Sequence, residues 1–248
     1  MSGHSKWSSI KHKKAAKDAK RGKLFTKLIK EITVAARNGS DPNANPRLRT
    51  AVLTARASSL PNDTIDRAIK KGSGQLEGQT IEELDYEGYG PGGVAVMARV
   101  LTDNRNRTVS ELRFLFSKHG GNLGEANSVA WMFHKKGLVH VDKAGTDEER
   151  VIELALEAGA EDVVDAGETF EVAAAPENLE PVRAAIEQAG IAISGAEVTM
   201  VPSNTVHLTG FAAASALKFL EALEDHDDVQ NVSANLDVDP AELEKLSA

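Results

Sequence analysis

Cysteine is absent from this 248-residue chain, which excludes disulfides, thiolate metal sites and cysteine nucleophiles and fits a reducing compartment. Aromatic residues are scarce, at 4%, so the cores must be aliphatic, built from Val, Leu, Ile and Ala. No apolar run approaches the roughly 20 residues of a membrane span. The N-terminus is basic but lacks the apolar stretch of a secretion signal, and it is Lys-rich rather than Arg-rich like a transit peptide. The expectation is a mature cytoplasmic protein with no membrane contact. The seven His are dispersed, without a His-Glu-x-x-His helix, and there is no Gly-x-Ser-x-Gly elbow. Neither a catalytic residue nor a cofactor is expected.

What the chain has is positive charge at one end. The first thirty residues carry ten Lys or Arg and one acid, Asp18, although the whole chain has a formal net charge of −8. Residues 1–75 hold 17 basic and 5 acidic side chains; residues 76–248 hold 12 basic and 32 acidic. A block of like charge this dense usually holds a polyanion. Lys6, Lys11, Lys13, Lys14, Lys17, Lys20, Arg21, Lys23 and Lys27 are the candidate phosphate contacts, with Trp7 among them to stack on a base or bury against another domain. A solvated tail, or an arm folded back on the acidic body, is the competing reading.

Periodicity divides the rest. Residues 1–23 lack apolar periodicity and read as a flexible basic arm. Leu24, Leu28, Ile32 and Ala35 form a helical stripe ending at Asn38-Gly39. Asn45-Pro46 opens a second helix and Pro61-Asn62-Asp63 a third, so residues 24–79 read as a helical domain with a Gly-rich linker, Lys70–Gln79. Beyond it strands and helices alternate. Gly93–Leu101 reads as a strand, and Arg107–His119 as a helix opened by a Thr108–Glu111 capping box. Ser128–Phe133 reads as a strand. Residues 135–203 follow the order βαββαβ, with the first helix capped by Thr146 with Glu149. Residues 80–134 and 204–248 would form an α/β domain into which that unit is inserted. The fold class is α+β and multidomain.

Three loops could carry chemistry. Asp103–Thr108 places Arg105 and Arg107 before a helix, where they can fork onto phosphate, or where Asp103 or Asn104 simply caps the helix. Gly88–Gly93 lacks the ending of a phosphate-binding loop and reads as a structural turn, and Gly120–Gly124 ends a helix. Asp85, Glu87 and Asp103 could gather around magnesium, which is the only hint of a metal-dependent nuclease.

The opening Gly3-His4-Ser5-Lys6-Trp7, the Lys run, Asp103–Thr108, and Gly120–Gly124 followed by Ser128-Val129 and Phe133 together resemble the YebC family, also called the PmpR type. Its mitochondrial members include the translational activator of cytochrome oxidase. The resemblance implies an N-terminal helical domain and two α/β ferredoxin-like domains, the third inserted in the second. It also implies a non-enzymatic regulator of gene expression, commonly described as a DNA-binding transcriptional regulator. The alternative it offers is a ribosome-associated translation factor that binds ribosomal RNA and relieves stalling at sequences such as proline runs. It makes Gly3–Lys23, Arg105 and Arg107 the nucleic-acid-facing positions.

Overall fold

The computed structural model describes residues 21–239, apart from Glu168 and the side chain of Arg21. Three helices come first: α1 (Arg21–Ala35), α2 (Pro46–Ala57) and α3 (Asn62–Gly72). They bury Leu28, Ile32, Ala35, Leu48, Val52, Ala55, Ile65 and Ala68 in one aliphatic cluster. Asn45 joins two helix ends with one buried side chain. Its oxygen accepts from Leu48 N–H at 3.1 Å, capping α2, while its amide donates to the carbonyls of Ala35 and Gly39 at 2.8 Å each, closing α1. Gly72 ends α3 against α1, where a Cβ would lie 2.1 Å from the Thr33 carbonyl oxygen, so no other residue fits that crossing.

Next come β1 (Glu82–Tyr89), β2 (Ala95–Thr102), α4 (Arg105–Lys118) and β3 (Asn122–Leu123). The chain then makes a second unit: β4 (Phe133–Asp142), α5 (Glu148–Glu157), β5 (Ala160–Asp165), β6 (Thr169–Ala174), α6 (Leu179–Gln188) and β7 (Ile193–Pro202). It closes with β8 (Val206–His207), α7 (Gly210–Glu224), β9 (Val229–Ala234) and β10 (Leu236–Asp237). The first sheet has the order β3-β1-β2-β9 and the second β5-β6-β4-β7, all antiparallel, while β8 and β10 pair in parallel. The second sheet has the strand order of a ferredoxin-like split βαβ unit. β9 pairs with β2, so segments on both sides of residues 133–202 share the first sheet.

Alternation along β2 sets its two faces. Val96, Ala98 and Val100 pack under Leu112 and Phe116 of α4 and Phe219, Leu220 and Leu223 of α7. Ala95 and Met97 face the other way, onto Val129, Met132 and Phe133. Phe116 and Phe219 meet edge to face, with ring centroids 4.8 Å apart, which gives the largest pair in this core a defined geometry. In the second sheet Val139, Val141, Phe170 and Val172 pack against α5 and α6.

Several local expectations are corrected. The Thr108–Glu111 capping box does not form; Asn104 caps α4, as the capping reading of Asp103–Thr108 has it, its side chain accepting from Arg107 N–H at 3.1 Å. Thr108 lies buried inside the helix instead. Asp147, not Thr146, caps α5 by accepting from Glu149 N–H. Ser128–Phe133 is not a strand: a 3-10 turn spans Ala130–Met132 and β4 starts at Phe133. The buried Glu87 carboxylate causes that bend by drawing in the N–H groups of Asn127, Val129 and Ala130 at 2.7–2.8 Å.

Candidate nucleic-acid interface

Lys23, Lys27 and Lys30 fall at i, i+4 and i+7 on α1 and so share one side of it. All three point at the C-terminus of α7. Lys23 Nζ donates to the Asp225 carbonyl at 2.8 Å, Lys27 Nζ to that of Glu224 at 2.5 Å, and Lys30 Nζ to that of Asp227 at 3.1 Å. The last carbonyls of a helix lack intrahelical partners and carry its negative dipole end; Lys23 and Lys27 satisfy two of them here, while Lys30 reaches the carbonyl of Asp227 in the turn that follows.

Asp228 completes the joint, with a side chain only 3% exposed. Its Oδ1 accepts from Lys30 Nζ at 2.5 Å; its Oδ2 accepts from Thr108 Oγ1 at 2.6 Å, Arg107 Nη2 at 2.7 Å and Thr102 Oγ1 at 3.3 Å. Burial alone would raise its pKa, but the hydrogen bonds from Lys30, Thr108 and Arg107 outweigh it and hold the carboxyl well below the usual carboxylate range. Arg47 makes a second bridge, forking onto Glu31 of α1 and Glu83 of β1. Its hydrogen bonds to Glu31 and then Glu83 raise its own pKa, and the one it gives Glu83 lowers that carboxyl.

The predicted contacts thus divide. Lys6, Trp7, Lys11, Lys13, Lys14, Lys17 and Lys20 lie outside the described residues. Arg21 opens α1. Lys23, Lys27 and Arg107 hold the helical domain and α4 to the α7–β9 turn, with Arg107 also donating to Asp103 at 3.0 Å. Arg105 is exposed at the start of α4 and has no ion pair among the described residues. On the helical domain Arg56, Arg67, Lys70 and Lys71 are likewise exposed and without ion pairs there. An open groove of about 770 Å³ runs between α1 and α4, with Lys23, Lys30, Arg107, Phe114, His226 and Asp227 among its walls. Sequence reasoning missed Lys30 and Asp228, and it read Arg47 as part of a basic surface running through Arg49, Arg56, Arg67, Lys70 and Lys71 rather than as a bridge; the partners lie too far along the chain for any local pattern to reveal.

The carboxylates considered for magnesium do not gather. Asp85 pairs with Arg99, Glu87 takes three backbone N–H groups, and Asp103 pairs with Arg107. Glu111, His226 and Asp228 do approach within 4.8 Å of one another. Lys30 and Arg107 already occupy the Asp228 oxygens, and His226 Nε2 lies 2.9 Å from Glu111 Oε2, so the protein's own cations fill that cluster. Among the described residues no helix is long and apolar enough to cross a membrane.

Comparison with known proteins is consistent across the chain. Residues 5–75 match the family model described as the TACO1/YebC protein N-terminal domain, and residues 81–236 match the TACO1/YebC second and third domain. A protein of Desulfotalea psychrophila described as a probable transcriptional regulatory protein is 57% identical over 249 residues, covering 100% of both chains. One of the same description from Geobacter sulfurreducens is 58% identical, covering 99% of this chain and 100% of its own. Among solved structures, a conserved hypothetical protein of Aquifex aeolicus superposes with a TM-score of 0.80 at 50% identity, covering 93% of this chain and 96% of that one.

Proposed function

The chain belongs to the TACO1/YebC family, and from that premise we propose that it is a non-enzymatic regulator of gene expression that binds nucleic acid through its N-terminal third. One observation carries this reading: the basic residues of that third are split between two tasks. Lys23, Lys27, Lys30 and Arg47 are spent on holding the helical domain to the acidic remainder. Arg56, Arg67, Lys70 and Lys71 stay exposed, and six further lysines precede Arg21. The four exposed cations without an ion pair among the described residues, together with the density of Lys in the sequence before them, are the electrostatic footprint of a polyanion site. The relatives' description as probable transcriptional regulatory proteins supports DNA as that polyanion, with the protein acting in the cytoplasm and needing no cofactor.

A second reading, ribosomal RNA, is favoured by the acidic remainder, with 12 basic against 32 acidic residues. Such a body repels nucleic acid over most of its surface and suits a limited contact made by a basic segment that orders among RNA phosphates. Crosslinking in cells followed by sequencing of both bound DNA and bound RNA separates the two. Enrichment at promoters supports DNA, enrichment of ribosomal RNA supports the ribosome, and enrichment of neither overturns the function. In vitro, binding should weaken steeply with salt and disappear when residues 1–20 are removed.

A further inference from the structure

Helix α4 is a basic island in an acidic stretch. Its sequence RNRTVSELRFLFSK places Arg105, Arg107, Arg113 and Lys118 against a single acid, Glu111. The helix buries Thr108, Leu112 and Phe116, so at about 100° per residue its opposite stripe runs through Asn106, Ser110, Arg113, Phe114 and Ser117. All five are exposed. Phe114 is 64% exposed, and Lys118 Nζ lies 6.0 Å from its ring centroid. Arg113 makes no ion pair among the described residues. Phe114 and Ser110 also form one wall of the groove whose other wall includes Lys23 and Thr26 of α1.

We propose that this face of α4 binds a single-stranded segment of nucleic acid, with a base stacked on Phe114 and the flanking phosphates held by Arg113 and Lys118. The inference rests on the nucleic-acid reading above and adds a second contact, beyond the linker. A phenyl ring offers a π face and no hydrogen bond, so it recognises a base only where the base's own face is free, as in a single strand. The cations beside it supply the phosphate contacts that fix the strand's course. A protein partner fits less well, because Asn106, Ser110 and Ser117 leave one ring as the only large apolar area on the stripe. The buried centre of a protein interface calls for a contiguous apolar patch.

The test is a fluorescence-anisotropy titration of the full chain with single-stranded RNA, single-stranded DNA of the same sequence, and the duplex. Phe114→Ala should weaken single-strand binding about tenfold, within the range for losing one base–aromatic stack, and change duplex binding little. Phe114→Trp should restore binding and show quenched indole emission as the base stacks. Arg113→Ala with Lys118→Ala should flatten the salt dependence by about 1.4 in log–log slope, the value for two phosphates on a single strand. Tighter binding to RNA than to DNA, or the reverse, identifies which strand the site serves. A wild-type protein that binds nucleic acid while Phe114→Ala binds equally well overturns the α4 site alone. Loss of a protein partner with unchanged oligonucleotide binding overturns it too. A wild-type protein that binds no nucleic acid overturns the reading beneath it.

Discussion

Lys30 of α1 donates a 2.5 Å hydrogen bond to Oδ1 of Asp228, a carboxylate 198 residues further along the chain. That contact ties the helical domain to the turn before β9. The other carboxylate oxygen holds Arg107 and Thr108 of α4, so one side chain fastens three parts of the molecule.

Asp228→Ala should therefore be among the costliest single substitutions in this joint. It leaves Lys30 and Arg107 without their shared anion. Removing one partner of a buried pair costs about 3–5 kcal/mol, and the 44% exposure of the Arg107 side chain places the expected loss at the low end. Chemical denaturation monitored by circular dichroism measures it; a loss below about 1 kcal/mol would mean that the joint is not held by Asp228.

The same residue sets an acid dependence. The folded protein holds the Asp228 carboxyl below its ordinary pKa, so its stabilisation is fully present above the unfolded value of about 3.9 and fades as pH falls below it toward the folded value. The melting-temperature gap between wild type and Asp228→Asn should be constant from about pH 5 to 7 and shrink below about pH 4. A gap that widens on acidification contradicts the assignment.

Arg105 and Arg107, two residues apart, should behave differently. Arg107→Ala removes charge-assisted hydrogen bonds to Asp228 and Asp103, which are worth about 1–2 kcal/mol for a partly exposed group. Arg105→Ala touches no such partner and should stay within about 0.5 kcal/mol of wild type. Equal melting temperatures for the two variants would contradict this division.

How far these features were legible in the sequence depends on how local they are. The Asn45-Pro46 start of α2 and the apolar stripe of α1 were readable, because a cap and a 3.6-residue period act over a few neighbours. The acid-rich strand β1, Glu-Glu-Leu-Asp-Tyr-Glu-Gly-Tyr, went unread. Arg47 and Arg99 come to Glu83 and Asp85 from other elements, and Glu87 is held by backbone N–H groups of a distant loop. The Ser128–Phe133 segment, apolar enough for a strand, is bent by Glu87, some 40 residues earlier. Likewise the candidate site was visible as charge, but not which cations dock the domains and which remain free.

Glu87 gives a test of that bend. Its buried carboxylate accepts from three backbone N–H groups, and Glu87→Ala strands them at about 1–3 kcal/mol each when no water enters. The adjoining Trp131 indole, which donates to the Ser128 carbonyl at 3.2 Å, should lose its fixed position. In a Trp7→Phe background, Trp131 fluorescence anisotropy should fall in Glu87→Ala while the far-ultraviolet circular dichroism of the helices persists. Unchanged anisotropy would show that the loop is held by something else.

The lysine ladder of α1 makes the joint itself a salt-sensitive device. Lys23, Lys27 and Lys30 lie about opposite the buried Leu28, Ile32 and Ala35 on the same helix, so replacing all three by Gln leaves the helical core intact. What is lost is the charge facing the α7 C-terminus, worth about 0.3–1 kcal/mol per residue, and the ion pair to Asp228. The exposed linker residues Gly74–Thr80 should then be cut faster in limited proteolysis, because the two parts separate more often before global unfolding. Wild type should approach the variant's cleavage rate as salt rises toward 1 M, where the screening length falls to about 3 Å. The buried Lys30–Asp228 contact is screened least, so a residual difference at high salt should vanish when the same comparison is made with Asp228 replaced in both proteins. Linker cleavage that is fast and salt-independent in wild type would mean that the helical domain is not held by these charges at all.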